Sequence, residues 1–269
     1  MNKLAFIGGG NMARAIIGGL VGSGRPASSI VVVDPDDSQR ASLQAHFGVR
    51  VLADAGTPLA DADLVVWAIK PQMFQAAARA CEAHVGAALQ LSVMAGIRSD
   101  AIARATGTGR VVRAMPNTPA LIGQGIAGLY ARDAVTAEER AEVQTVLAPT
   151  GRTLWVDRES DLDAVTALSG SGPAYVFYVI EAMIDAAVAM GLSAGQGREL
   201  ALATLAGSTA LAAASSDPPA VLRERVTSKG GTTHAAISVL DDAQVKAAFG
   251  RAIIAAQRRG AQMGDEFGG

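Results

Sequence analysis

Over its first 156 residues the chain alternates short, largely apolar runs with longer stretches whose apolar positions recur at helical spacing. The runs cover residues 4–7, 30–33, 49–52, 64–69, 89–93 and 111–115, with a weaker one at 125–130 and a last at 153–156. A short apolar run without polar alternation is the pattern of a strand buried on both faces. Helices are expected from Asn11, over 37–47, from the Lys70-Pro71 step through His84, over 99–105 and over 136–147. The last opens on Thr136-x-x-Glu139, a capping box in which the threonine oxygen takes a free N–H and the glutamate reaches back. Such alternation predicts a largely parallel sheet with helices on both faces, whose ligands collect at the carboxyl ends of the strands.

From Glu159 onward no strand pattern remains. Helices are expected over 159–168, 173–190, 193–215, 218–226, 233–240 and 242–263. Ser193-x-x-Gln196 is a second capping box, and Asp217-Pro218 pairs a cap with a proline at the first helical position. The chain therefore divides near Asp157 into an α/β domain, residues 1–157, and an all-helical domain, residues 158–269. Small residues crowd the third of these helices, among them Ala203, Ala206, Gly207, Ala210 and Ala213. An alanine-rich composition alone accounts for that crowding, or, favoured by the little aromatic bulk in the chain, close packing between helices of two subunits.

The sharpest local signal is Gly8-x-Gly10-x-x-Ala13, set between the first apolar run and the helix from Asn11. It fits the dinucleotide fingerprint: Gly8 permits a tight turn, Gly10 the approach of a diphosphate, and Ala13 close packing of helix on strand. The diphosphate would lie on free N–H groups at the helix start, where the dipole favours negative charge. Glycines also serve plain turns, so the context carries the reading. That context includes Asp34, which ends the second run where a carboxylate partner for the adenosine ribose is expected. The fold class is thus α/β, a Rossmann-type doubly wound, mostly parallel sheet followed by an all-α C-terminal domain.

Charge and cysteine content narrow the partners. A net charge of −2 gives no electrostatic reason to expect nucleic acid or an anionic membrane. The single cysteine, Cys81, excludes an internal disulfide framework and fits the reducing cytoplasm; its alanine-rich helical setting reads as packing. The first strand begins almost at the N-terminus, which leaves no room for a signal peptide. No apolar run reaches the ~18 residues of a membrane span, the longest being cut by Glu181 and Asp185. No residue set has metal-ligand spacing.

Two glycine- and hydroxyl-rich breaks interrupt the C-terminal helices. Leu168-Ser-Gly-Ser-Gly-Pro-Ala-Tyr175 reads as a corner between two helices, with hydroxyls and bare backbone open to a ligand. Val226-Thr-Ser-Lys-Gly-Gly-Thr-Thr233 runs straight into a helix that its threonines can cap. Such a segment serves either as a plain cap or as an anion nest suited to one carboxylate. Arg225 is close enough to add positive potential, and the neighbouring His234 reads as a solvated helix residue.

On these residues the chain resembles the pyrroline-5-carboxylate reductases, which make proline from its cyclic imine with NADPH or NADH. The resemblance spans almost the whole length: Phe6-Ile-Gly-Gly-Gly-Asn-Met12, Ile69-Lys-Pro-Gln72, Arg113-Ala-Met-Pro-Asn-Thr-Pro-Ala120, Leu168 to Tyr175, and Val226 through Thr233 to Leu240-Asp241. Lys229 departs from the pattern by standing where the family has proline. The resemblance implies a helical domain that dimerises, with an active site between the cofactor domain and helices of both chains. Assembly beyond the homodimer is left open. It implies that Ser228, Gly230 and Gly231 hold the substrate carboxylate and that Thr233, the catalytic candidate, bonds the ring nitrogen. The implied cofactor contacts are Gly8, Gly10, Asn11, Met12, Asp34, Ala68, Lys70, Pro71, Ala95, Gly96, Met115 and Asn117. An iminium already accepts hydride readily, so orientation is the main demand and no His–Asp pair is needed. A hydroxyacid dehydrogenase on a similar frame would need a lysine within 173–190, and none is there. A nucleotide-sensing regulator is the non-enzymatic alternative.

Overall fold

The computed structural model describes residues 2–267 and finds the expected strand–helix alternation. In chain order it runs β1 (Leu4–Ile7), α1 (Asn11–Gly22), β2 (Ile30–Val33), α2 (Asp37–Phe47), β3 (Arg50–Leu52), β4 (Leu64–Trp67) and α3 (Phe74–Val85). There follow β5 (Leu89–Ser92), α4 (Ser99–Thr106), β6 (Val111–Met115), β7 (Gly125–Ala131), α5 (Ala137–Leu147) and β8 (Gly151–Trp155). The eight strands form one sheet in the order β3-β2-β1-β4-β5-β6-β7-β8. All pairings are parallel except β6 with β7, where Met115 faces Gly128 and Val112 faces Ala131.

Burial on both faces explains why the inner strands β1, β2 and β4 carry no polar alternation. Leu4 and Phe6 face Ile16, Ile17, Leu43, Val143 and Leu147 of α1, α2 and α5, whereas Ala5 and Ile7 face Phe74, Cys81, Val85 and Ile102 of α3 and α4. Both faces are core, and each fully buried Leu, Ile or Phe contributes roughly 1.5–3 kcal/mol. Both arms of the Thr136/Glu139 capping box are formed.

The expected break at Asp157 marks the end of the strands, but packing carries the first compact unit on to Ser171 and brings the chain from Ala255 onward back into it. In that segment α6 (Asp161–Val165) leads into a single π-helical stretch, Thr166–Gly170. Its ties are charged and distant in sequence, which is why periodicity does not reveal them. Arg98 pairs with Asp163 at 3.1 Å and Arg113 with Glu159 at 2.8 Å. The corner expected at Leu168–Tyr175 is therefore a π turn: the Ser171 N–H donates to Thr166 O at 2.8 Å and the Ser169 hydroxyl to Val165 O.

The second unit, Gly172–Ile254, holds α7 (Gly172–Ala189), α8 (Ala194–Ala214), α9 (Pro219–Arg225), α10 (Thr232–Asp242) and the start of α11 (Val245–Phe267). The Ser193/Gln196 box caps α8 with both arms. The cap expected at Asp217 moves by one residue: Pro218 is the N-cap and Pro219 the first helical residue, because the Asp217 carboxylate is drawn to Arg225 at 2.5 Å. Helix α7 packs on α8, and Tyr175 meets Phe249 edge-on at 5.8 Å. Among the described residues of this unit only Ala187, Gly197 and Ala201 are buried. Phe177, Tyr178, Leu211 and Val239 stand 58%, 73%, 62% and 67% exposed. The helical run Asp161–Ala189 also has the length and mean hydropathy of a membrane span, with 6% of its most apolar window buried. Two carboxylates in α7 thus interrupt the apolar surface less than expected, since the helix continues through the serine–glycine break.

Candidate functional site

The twelve residues expected to hold a dinucleotide all lie at the carboxyl ends of β1, β2, β4, β5 and β6, and β1 sits between β2 and β4. This is the switch point where open α/β sheets bind nucleotides. Gly8 leaves β1 with φ +97° and donates its N–H to Val33 O at 2.8 Å. A methyl group built there would lie 2.6 Å from Ala68 O and Ile69 Cγ2, so no larger residue fits. Gly10 is the N-cap of α1, no side chain caps the helix, and a methyl at Gly10 would meet nothing within 4 Å. The first-turn amides, including those of Asn11 and Met12, therefore lack intrahelical partners and face an open cradle, which suits a diphosphate.

Asp34 is fixed by two backbone amides, Gly9 N–H on Oδ2 at 2.7 Å and Asp36 N–H on Oδ1 at 2.9 Å. It does not cap α2. That role belongs to Asp36, which accepts from Ser38 N and Gln39 N. The Ser38 hydroxyl, then the Gln39 and Ser38 amides, hold the Asp36 carboxyl below the usual carboxylate range.

Ala68 donates its N–H to Ile7 O at 2.8 Å, while exposed Lys70 precedes a 3-10 turn that starts at Pro71. Ala95 and Gly96 follow β5 half-buried; Gly96 has φ +74° and is backed by Met263 of α11. Met115 reaches Gly170 of the π turn. Asn117 is engaged on both sides: its Oδ1 accepts from Ile126 N at 3.0 Å and its Nδ2 donates to Ser169 O at 3.2 Å.

The residues expected to hold substrate form the turn between α9 and α10. Gly231 N–H closes it on Ser228 O at 3.0 Å, and Gly230 takes φ +75°. Gly231 is the N-cap of α10 and has no side-chain cap, so the threonines expected to cap this helix leave its first-turn amides open. Thr233 is half-buried, whereas Ser228, Lys229 and His234 are exposed. Arg225, considered above as a source of positive potential, is paired with Asp217.

A buried ionic cluster beside β6 was not foreseen. Glu159 accepts Ser99 N–H and Ser99 Oγ at 2.6 Å each, and Arg113 Nη1 at 2.8 Å. Burial pushes its carboxyl up, but the Ser99 and Arg113 hydrogen bonds outweigh that and leave it below the usual range. Burial lowers the Arg113 guanidinium, opposed by Glu159. The available signal was an arginine inside the apolar run 111–115. Burial raises the Cys81 thiol to about 11, which makes it an inert packing residue. Among the described residues no group of three or more His, Cys, Asp or Glu could hold a metal.

The chain is 42% identical to the pyrroline-5-carboxylate reductase of Pseudomonas aeruginosa over 99% of its own length and 98% of that protein. It belongs to the pyrroline-5-carboxylate reductase family. Residues 159–263 match the family profile described as pyrroline-5-carboxylate reductase dimerisation, and residues 3–96 match one described as NADP oxidoreductase coenzyme F420-dependent. The fold of this reductase is also that of a pyrroline-5-carboxylate reductase from Coxiella burnetii (TM-score 0.90, 32% identity, 97% and 98% of the two chains covered). A pyrroline carboxylate reductase from Plasmodium falciparum, solved with NADP bound, superposes with TM-score 0.87 at 26% identity over 98% of each chain.

Proposed function

We propose that this chain reduces 1-pyrroline-5-carboxylate to L-proline with NADH or NADPH, the final step of proline biosynthesis. One observation carries the reading at the level of the site. Two helices, α1 and α10, begin on a glycine with no side-chain cap, and each offers its first-turn amides to an anion. The first suits the dinucleotide diphosphate and the second the substrate carboxylate.

In this proposal Ser228 and the amides of Gly230 and Gly231 hold the carboxylate. The Thr233 hydroxyl accepts the iminium N–H and fixes the plane of the ring. The reduced nicotinamide, when bound, supplies the hydride. As hydride reaches the imine carbon, the C=N π pair returns to nitrogen and leaves a secondary amine. The dinucleotide is held by Gly8, Gly10, Asn11 and Met12 at the diphosphate and by Asp34 at the adenosine ribose. Ala68, Lys70, Pro71, Ala95, Gly96, Met115 and Asn117 flank the nicotinamide half.

The working form is a homodimer, built through the 158–269 region to which the family's dimerisation profile aligns. A second copy, and neither lipid nor nucleic acid, covers the apolar faces of α7 and α8. Glu181 and Asp185 are both exposed on α7, and the net charge of −2 favours neither partner. The compartment is the cytoplasm, whose reducing poise suits a lone thiol.

Oxidation of NADH and NADPH, followed with and without added pyrroline-5-carboxylate, tests the reaction. Thr233→Ala tests the site: losing a hydrogen bond to a charged group, ~1.5–3 kcal/mol, should lower kcat/KM about ten- to a hundredfold with dinucleotide affinity unchanged. No imine-dependent oxidation would overturn the activity, and unchanged turnover in the variant would remove Thr233 from the mechanism.

A further inference from the structure

We infer that the loop between β2 and α2 makes this chain an NADH enzyme that discriminates against the extra 2′-phosphate of NADPH. This rests on the dinucleotide reading of the β1 and β2 ends. A ribose phosphate is held by donors: backbone amides, hydroxyls or cationic side chains. In this loop all but the Asp37 N–H, the first amide of α2, already have partners. Asp34 N–H bonds Leu52 O, Asp36 N–H bonds the Asp34 carboxylate, and Ser38 N–H and Gln39 N–H both bond the Asp36 carboxylate. The Ser38 hydroxyl also donates to Asp36, at 2.6 Å, and Pro35 has no N–H to offer. Arg40 is held at both terminal nitrogens, Nη1 on Asp34 O at 2.6 Å and Nη2 on the Asp37 carboxylate. Arg14, the other cation beside α2, donates to Ser42 Oγ and lies over the Phe47 ring.

Charge points the same way. Asp34, Asp36 and Asp37 set three carboxylates against one guanidinium within seven residues. A dianionic phosphate here meets like charge and would have to break hydrogen bonds already made. The ribose diol of NADH asks for the opposite, an acceptor. Asp34 meets that need: each oxygen takes one backbone amide, and a carboxylate has about four lone-pair sites. The amide bonds also hold the carboxylate against the glycine turn, so it is in place before the cofactor arrives.

Calorimetric binding of ADP-ribose and of 2′-phospho-ADP-ribose to the full chain, beside steady-state kinetics with NADH and NADPH, separates the outcomes. Expected is a preference for the unphosphorylated ligand, and for NADH in kcat/KM, of about tenfold or more. Asp34→Ser should shift the ratio toward the phosphorylated ligand. Because that change also removes two backbone ties, Asp37→Ser is the second variant. It releases Arg40 Nη2 without touching the glycine turn and should shift the ratio the same way. Equal or tighter binding of the phosphorylated ligand by the unmodified protein overturns the inference. So does a ratio that neither variant moves. Binding of neither ligand overturns the dinucleotide reading itself.

Discussion

Glu159 joins three parts of the first unit through one carboxylate. Its oxygens take the Ser99 amide and hydroxyl at the start of α4 and the Arg113 guanidinium on β6. Replacing it with glutamine leaves Arg113 buried without its counter-charge, and breaking one side of a buried pair costs about 3–5 kcal/mol. The pH dependence has a definite sign. The folded carboxyl lies below its ordinary value, so its contribution is complete above the unfolded pKa of about 4.3 and disappears as pH falls through the lower folded value. The melting temperature of Glu159→Gln should therefore fall well below that of the parent at pH 7, with the gap narrowing below about pH 4. Melts followed by circular dichroism decide it, and a gap that ignores pH would refute this account of Glu159. Local chemistry such as Gly8, Thr136 and Ser193 was readable along the chain, because each acts within a few residues. Glu159 was not, since its partners lie 60 and 46 positions away.

The π turn at Thr166–Gly170 shows the same limit for an element. Two serines and two glycines in a row read as a stop, yet the chain stays helical by widening one turn. Wide turns of this kind recur at functional sites. The added support comes from a distance, as Asn117 ties Ser169 O to the start of β7. Asn117→Ala should lose both bonds and destabilise the fold by about 1–3 kcal/mol. Amide exchange across residues 166–171 should quicken with it; exchange that stays at the parent rate would mean that the turn holds itself. The strands, by contrast, were legible to within two residues at either end, because burial on both faces of the inner ones leaves a largely apolar run. The turn between α9 and α10 was legible as a break between helices for a similar local reason, its glycines and hydroxyls being consecutive.

For the whole molecule, the telling feature is a helical unit with three buried residues and large apolar side chains in solvent. Such a unit draws its stability from a second copy, so its unfolding midpoint should rise with protein concentration. Light scattering at micromolar concentration should report a dimer at least, and a stable, active monomer would sink the idea. The small residues of α8 suit such a contact; the return of the chain from Ala255 onward to the first unit left no trace in periodicity. That return makes the helical unit a loop closed at both ends rather than a tail. A protease that nicks the turn at residues 226–233 would leave two fragments, each still rooted in the sheet unit. The break would show on a denaturing gel while the native particle kept its mass, and the severed halves could rejoin on refolding as a complementing pair.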